Sequence, residues 1–275
     1  MAPQADQPNP NSERESTQAI RLSIDQIQCY SGNPWRQANP EYARIKASIR
    51  REGLDQPLVV TQKPGETGYL LQAGGNTRLQ ILKTLYQETS EERFFNIDCL
   101  FKPWEEESAV LLAHLRENEL RGELHFIDKA LAVFEAKRLF EVEQNIVSLS
   151  VRQLANLLRE RGFPLNGAMI SRMGYAVHRL LPLIPQALEA GLGRPQVEKL
   201  RALERVSTRL WTEKALGDEE EFSAIFATLC QRYDAPDWEL ESLRNALENE
   251  IADAAEEPLQ TVRLTLGAML SGREI

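Results

Sequence analysis

Two short stretches hold residues that could handle phosphate. In LLQAGGNTRLQILKTL, residues 70–85, an apolar strand passes through two glycines into an amphipathic helix. Amides at a helix start lack internal partners and carry partial positive charge, and glycine lets a ligand approach the backbone closely. Gly74 and Gly75 would make that turn, Asn76 and Thr77 would cap the helix, and Arg78 would add a charge-assisted contact to an anion. The second stretch is RENELRGEL, residues 116–124, where helical spacing puts Glu117, Asn118 and Arg121 on one face. A carboxylate beside an amide oxygen can hold a hard cation such as magnesium, while a neighbouring guanidinium takes a phosphate. Each stretch also has a plainer reading. Tight turns use glycine for its backbone alone, and a Glu–Arg pair four residues apart is worth only roughly a few tenths of a kcal/mol on a helix surface.

A third stretch has the punctuation of a helix-turn-helix. Ser150 with Gln153 forms a capping box, Gly162, Phe163 and Pro164 break the helix, and Asn166 can cap the next one, GAMISRMGYAVHRL. Leu154, Ala155, Leu158, Ile170, Met173 and Val177 fall where the two helices would pack. Asn166, Ser171, Arg172, Tyr175 and Arg179 would face DNA from the second helix, early residues meeting base edges and arginines meeting phosphates. A plain helical bundle with solvated arginines has the same outline. Gly174 costs about 1 kcal/mol in a helix interior, so close packing or a helix break is expected there.

Charge separates these readings. The net charge of −9 looks unfavourable for a polyanion, but it is unevenly spread: residues 1–150 carry −5, residues 151–215 carry +6 and residues 216–275 carry −10. A basic middle suits phosphate, because attraction acts through local charge. Cys29, Cys99 and Cys230 lack metal-ligand spacing, which points away from a zinc site or disulfide framework and towards a reducing compartment. No apolar run reaches the roughly 18 residues that would span a bilayer. The first 18 residues read as a disordered tail.

The elements that must position these residues follow from periodicity. Strands are expected over 19–30, 56–62, 69–73 and 94–101, with helices over 41–53, 76–87, 105–120 and 124–143. Beyond that the pattern is helical: 150–161, the helix after Asn166, a short one between Pro182 and Gly191, and 195–207. EEEFSAIFATLCQRY and DWELESLRNALENEIADAA read as two more helices, and PLQTVRLTLGAML as a closing strand. The expected class is α+β: a mixed domain over 19–122, a helical DNA-binding domain over 123–215 and an acidic region over 216–275 that either dimerises or completes a core.

NPWRQANPEYARIKASIRREGLDQPLVV, then YLLQAGGNTRLQIL, then ENELRGELHFIDKALAV, resemble in order and spacing the N-terminal domain of ParB partition proteins. SVRQLANLL and ISRMGYAVHRLLPLIPQAL are similar to that family's helix-turn-helix domain. The resemblance covers residues 19–210, is most specific in the ENxxR motif, and lies nearest the variety carried by plasmids and integrating conjugative elements. It implies CTP and magnesium bound by the N-terminal domain, closing a dimeric clamp over double-stranded DNA. By position, Gly74, Gly75, Asn76, Thr77 and Arg78 would face the triphosphate, Arg121 a phosphate, and Glu117 and Asn118 the metal, with Arg36 and Gln37 in a further nucleotide-contacting loop. It implies also a homodimer, a ParA-type ATPase partner, slow CTP hydrolysis, and a cytoplasmic, nucleoid-associated protein. The family's turn reads GERR where this chain has GNTR, removing one cation whose phosphate contact would be worth ~1.5–3 kcal/mol.

Two other functions compete. Relatives of this N-terminal fold include nucleases, but a phosphodiesterase wants a carboxylate or histidine cluster around metal, and His114, His125 and His178 are isolated in sequence. His114 and His125 read as capping or flanking helices. The other candidate is a transcriptional regulator that uses the helix-turn-helix without a nucleotide.

Overall fold

A computed structural model of the chain describes residues 17–32, 39–121 and 124–272, with side chains to residue 120 in the second span. It divides into two compact units, one of residues 1–123 with 138–147 and one of 124–137 with 148–275.

The first unit is built on a five-stranded mixed sheet. Its strands are β1 (Gln18–Ser23), β2 (Ile27–Gln28), β3 (Leu58–Thr61), β4 (Tyr69–Leu71) and β5 (Asn96–Phe101), in the order β1-β5-β3-β4-β2. β1 and β5 pair antiparallel along six residues, and β5 and β3 pair in parallel, setting Leu58 beside Cys99. The expected strand over 19–30 is interrupted by a 3-10 turn at Ile24–Gln26, where Ser23 and Gln26 form a capping box. Helices α1 (Tyr42–Glu52), α2 (Asn76–Thr89), α3 (Glu92–Phe95) and α4 (Glu107–Arg121) complete the unit. α1 stops at Gly53, whose φ of +85° belongs to the left-handed region that glycine enters without strain. α2 buries Leu79, Ile81, Leu82 and Leu85 in a core shared with Leu58, Val60 and Leu71 of the strands.

The second unit is helical. α5 (Phe126–Glu143) gives it residues 126–137, followed by α6 (Val151–Glu160), α7 (Gly167–Tyr175), α8 (Pro185–Glu189), α9 (Arg194–Glu213), α10 (Glu219–Arg232), α11 (Leu240–Ala255) and α12 (Leu259–Leu270). Ser150 and Gln153 make the expected capping box, and Asn166 accepts from the Met169 amide at 2.8 Å. Of the two causes anticipated at Gly174, close packing is the one present: a Cβ there would stand 3.1 Å from the Phe134 ring, while the backbone stays helical and passes into a π turn only at Ala176–Leu180.

Residues 259–270 form a helix and not the expected strand. Val262, Leu264 and Leu266 alternate as in a strand, but Leu259, Val262, Leu266 and Leu270 also recur at helical spacing. The helical set wins because α9 and α11 offer an apolar surface and no strand partner lies nearby. Leu264 is consequently left 65% exposed. Phe222, Phe226 and Leu229 of the acidic region are buried in the same core as Leu188, Leu200 and Leu210, so this region completes the helical unit.

Candidate functional site

In the first unit the glycine turn is stapled by a histidine. Gly74 donates its amide to His114 Nδ1 at 3.1 Å, so Nδ1 is an acceptor and the ring is neutral. The proton on Nε2 then goes to the Leu71 carbonyl at 2.9 Å. One imidazole on α4 thus closes both ends of the segment between β4 and α2. Tyr30 stacks on it with ring centroids 4.9 Å apart. The ring is fully buried, and burial holds its pKa below the ordinary histidine value against the pull of the Leu71 carbonyl and the Glu117 charge. His114 therefore neither caps nor flanks a helix. The signal lay in its spacing, because positions 114, 117, 118 and 121 share one helical face.

Both glycines are required by geometry. Their φ angles are +55° and +84°. A Cβ on Gly74 would fall 1.5 Å from Glu117 Oε2, and one on Gly75 would fall 2.9 Å from Leu58 Cδ2. Gly74 lets the Glu117 carboxylate lie directly on the turn, and Gly75 lets the turn lie on the core. Asn76 and Thr77 do not cap α2. Gly75 occupies the cap position and supplies no side-chain acceptor, which leaves them as the first two helical residues. The first-turn amides of α2 consequently receive no side-chain cap. Asn76 Oδ1 is buried without a hydrogen-bond partner, a condition that costs about 1–3 kcal/mol for a neutral polar group. Arg78 donates Nη1 to the Gln56 carbonyl at 2.9 Å and lines a cavity of about 270 Å³ with Ile45, Ile49 and the 53–56 segment.

The turn therefore brings together Gly74, Gly75, Asn76, Arg78 and Glu117. Asn118 follows on the same helix and is partly buried. The Arg121 side chain, and Arg36 and Gln37, lie outside the described residues. Uncapped amides, a glycine cradle with the Glu117 carboxylate on it and an orphaned amide oxygen in the first turn of α2 are groups that could receive a metal-bound polyphosphate, amides to oxygens and Glu117 with Asn118 to the metal. Among the described residues no group of three or more His, Cys, Asp or Glu side chains could hold a metal by itself.

The second unit distributes its predicted DNA residues differently. Leu154, Ala155, Leu158, Ile170 and Met173 are buried as expected, and Val177 is partly buried against the core. Asn166 is spent on its cap. Ser171 accepts from Arg201 at 3.2 Å. Arg172 pairs with Glu198 at 2.6 Å, and Glu198, bonded also by Arg194, is held below the usual carboxylate range. Tyr175 donates its hydroxyl to Glu204 at 2.5 Å, and burial together with that carboxylate drives the phenol's pKa far up. Arg179 pairs with the same Glu204 at 2.7 Å and donates to the Ser223 carbonyl and hydroxyl. Tyr175 and Arg179, expected to point outward, are thus tied to α9 and α10. The sequence could not show this, because their partners lie 25 to 44 positions further along the chain.

No family model matches the chain. It is 27% identical over 196 residues to a curated protein of Rhizobium rhizogenes named "Putative replication protein B", an alignment covering 67% of this chain and 55% of that one. The chain thus spans about half the length of the curated relative it matches. Two solved structures superpose over nearly its whole length. The C2221 form of the Pnob8-like ParB-N domain matches with a TM-score of 0.56 and 16% identity, covering 88% of this chain and 97% of that one. Another pNOB8-like ParB N-domain structure matches with a TM-score of 0.52 and 14% identity, covering 94% and 96%. The resemblance read from residues 19–210 is met again in three dimensions: the chain has the α+β fold of a ParB N-domain.

Proposed function

We propose that the chain is a DNA-binding protein of the ParB partition type, acting in the segregation or maintenance of a plasmid or other mobile element. Its glycine turn binds CTP with Mg²⁺, and its helical unit binds double-stranded DNA. The observation that carries the nucleotide reading is the Glu117 carboxylate lying on the Gly74–Gly75 turn at a helix start with no side-chain cap. Bound nucleotide would supply the triphosphate charge and the bridging metal. The chain's own residues then divide the work of holding it. Gly74 and Gly75 admit the phosphates, the amides of Asn76 and Thr77 orient them, Arg78 and Arg121 offset charge, and Glu117 with Asn118 hold the cation. The local charge of +6 over residues 151–215 supports the DNA reading. Closure of a homodimeric clamp on CTP, a ParA-type ATPase partner, slow CTP hydrolysis and nucleoid association belong to the same proposal, as does the boundary at residue 122 between the nucleotide-binding and DNA-binding parts. Among the described residues no helix is long and apolar enough to cross a membrane.

Calorimetric titration of the purified chain with CTP, ATP, GTP and UTP in magnesium tests this reading. CTP is expected to bind in preference to the other three, and Glu117→Gln should lower its affinity about tenfold or more, the scale of one charge-assisted contact. Equal weak heats for all four nucleotides, with duplex binding unchanged by CTP, would leave the nucleotide-independent regulator as the better account. Magnesium-dependent nicking of plasmid DNA that disappears in Glu117→Gln would favour the nuclease.

A further inference from the structure

Part of the helical unit's exposed positive charge forms a row on α9. This helix turns Val197, Leu200, Leu203 and Leu210 into the core and presents Arg201, Arg205 and Arg209 outward, each four residues from the next. These arginines line a groove of about 980 Å³ whose opposite walls include Arg172 and Tyr175 of α7 and Glu219 and Ser223 of α10. Most of the groove's charges are already matched. Glu198 is taken by Arg172 and Arg194, Glu204 by Arg179 and Tyr175, and Arg209 by Glu213. Two cations are left. Arg201 rests over the Tyr175 ring at 5.7 Å and donates to the Ser171 hydroxyl, both neutral groups, so its charge is not offset by a carboxylate. Arg205 is exposed and makes no ion pair or hydrogen bond among the described residues. The remaining carboxylate of the groove, Glu219, stands exposed in the first turn of α10.

We propose that Arg201 and Arg205 are the phosphate-contacting residues of the helical unit, and that the groove between α9 and α7 receives one strand of the duplex backbone. This rests on the DNA-binding reading above and relocates its charge, since Arg172 and Arg179 of the helix-turn-helix are committed to Glu198 and Glu204. Two arguments favour a polyanion as occupant. Guanidinium forks match phosphate oxygens, and cations at i and i+4 stand about 5–6 Å apart at Cβ, presenting a row and not a single point. The row is also continuous with α7, because Arg201 holds Ser171. A strand lying along it brings the α7 surface beside the groove edges of the same duplex. Phosphate contacts of this sort fix position and carry no sequence information.

The test measures fluorescence anisotropy of a labelled mixed-sequence duplex with the full chain, between about 50 and 200 mM salt. Arg205→Gln is expected to weaken binding roughly tenfold and to reduce the slope of log K against log salt by about 0.9, the loss of one phosphate contact. Arg201→Gln should do the same, the double variant about twice as much on both logarithmic scales, and Arg50→Gln in the first unit nothing. The unfolding temperature of Arg205→Gln should match the parent, since Arg205 touches no partner. Parental binding with an unchanged slope in both variants would overturn the inference, as would a change of sequence preference at constant slope, which would make these residues base readers. An Arg205-dependent capture of an acidic peptide in place of duplex would overturn it too. A parent that binds no duplex at any salt would instead defeat the DNA reading on which it stands.

Discussion

The glycine turn of the first unit and the α7 face of the second were equally visible as candidates in the sequence, yet folding treats their residues in opposite ways. At the turn the singled-out residues converge: Gly74, Gly75 and Glu117 meet, and the backbone admits no other residue type without displacement. On α7 they disperse inward. Arg172, Tyr175 and Arg179 are consumed by Glu198 and Glu204, and the cations left unmatched in the adjoining groove belong to α9. The contrast is between a site written in backbone conformation and one written in side-chain charge. A left-handed φ favours glycine whatever surrounds it, so a pair of glycines before a helix is informative locally. An arginine is available to a ligand only if no carboxylate reaches it first, and that is settled by packing.

The largest expected effect breaks the α7 side of the comparison. Glu204→Ala should destabilise the helical unit by about 3 kcal/mol, because it leaves Arg179 and the Tyr175 hydroxyl partly buried without their shared acceptor. Urea denaturation followed by circular dichroism would measure it as a lowered midpoint with unchanged slope. A neutral outcome would mean that the Glu204 network is loose and that Tyr175 and Arg179 are available to DNA after all.

The next effect sharpens the turn side. His114→Phe keeps an aromatic ring against Tyr30 but removes the acceptor for the Gly74 amide and the donor for the Leu71 carbonyl. Leaving those two buried groups unsatisfied should cost about 2 kcal/mol in stability. His114→Gln, with one donor and one acceptor to offer, should recover part of the loss. Equal stability of the Phe variant and the parent would show that the glycines hold the turn unaided.

Much of this molecule was legible because its signals are local. Capping at Ser150 and Asn166, the stop at Gly53 and the first-unit strands all follow from a few neighbouring residues, and they fold as read apart from the 3-10 turn that divides the first strand. What escaped depended on partners remote in sequence. His114 shared a helical face with Glu117, Asn118 and Arg121, but its task as a staple was hidden, since the groups that it bridges lie 40 and 43 positions earlier. The strand expected at 259–270 failed for a related reason: an alternating apolar run takes its conformation from the surface that covers it. That surface is helical, and Arg263 is fixed by the buried Glu248 of α11.

The smallest effect is a pH dependence that belongs to the turn and not to the α7 face. His114 must stay neutral, because Nδ1 accepts from Gly74, and burial lowers its pKa in the folded chain. Above the ordinary histidine value of about 6.5 both folded and unfolded states hold a neutral ring, and its contribution is fully present. As pH falls below that value the unfolded chain takes up the proton first. Stability therefore declines until the folded pKa is passed, and is flat below it with respect to this group. The Leu71 carbonyl and Glu117 oppose the shift by favouring the charged ring. Carboxylates elsewhere titrate in the lower part of the same window, so the informative quantity is the parent's stability minus that of His114→Gln at each pH. That difference should shrink on acidification from neutral pH. If it stayed constant, the ring would be accepting its proton without releasing Gly74, and the staple would have to be held by Tyr30 and the glycine conformations alone.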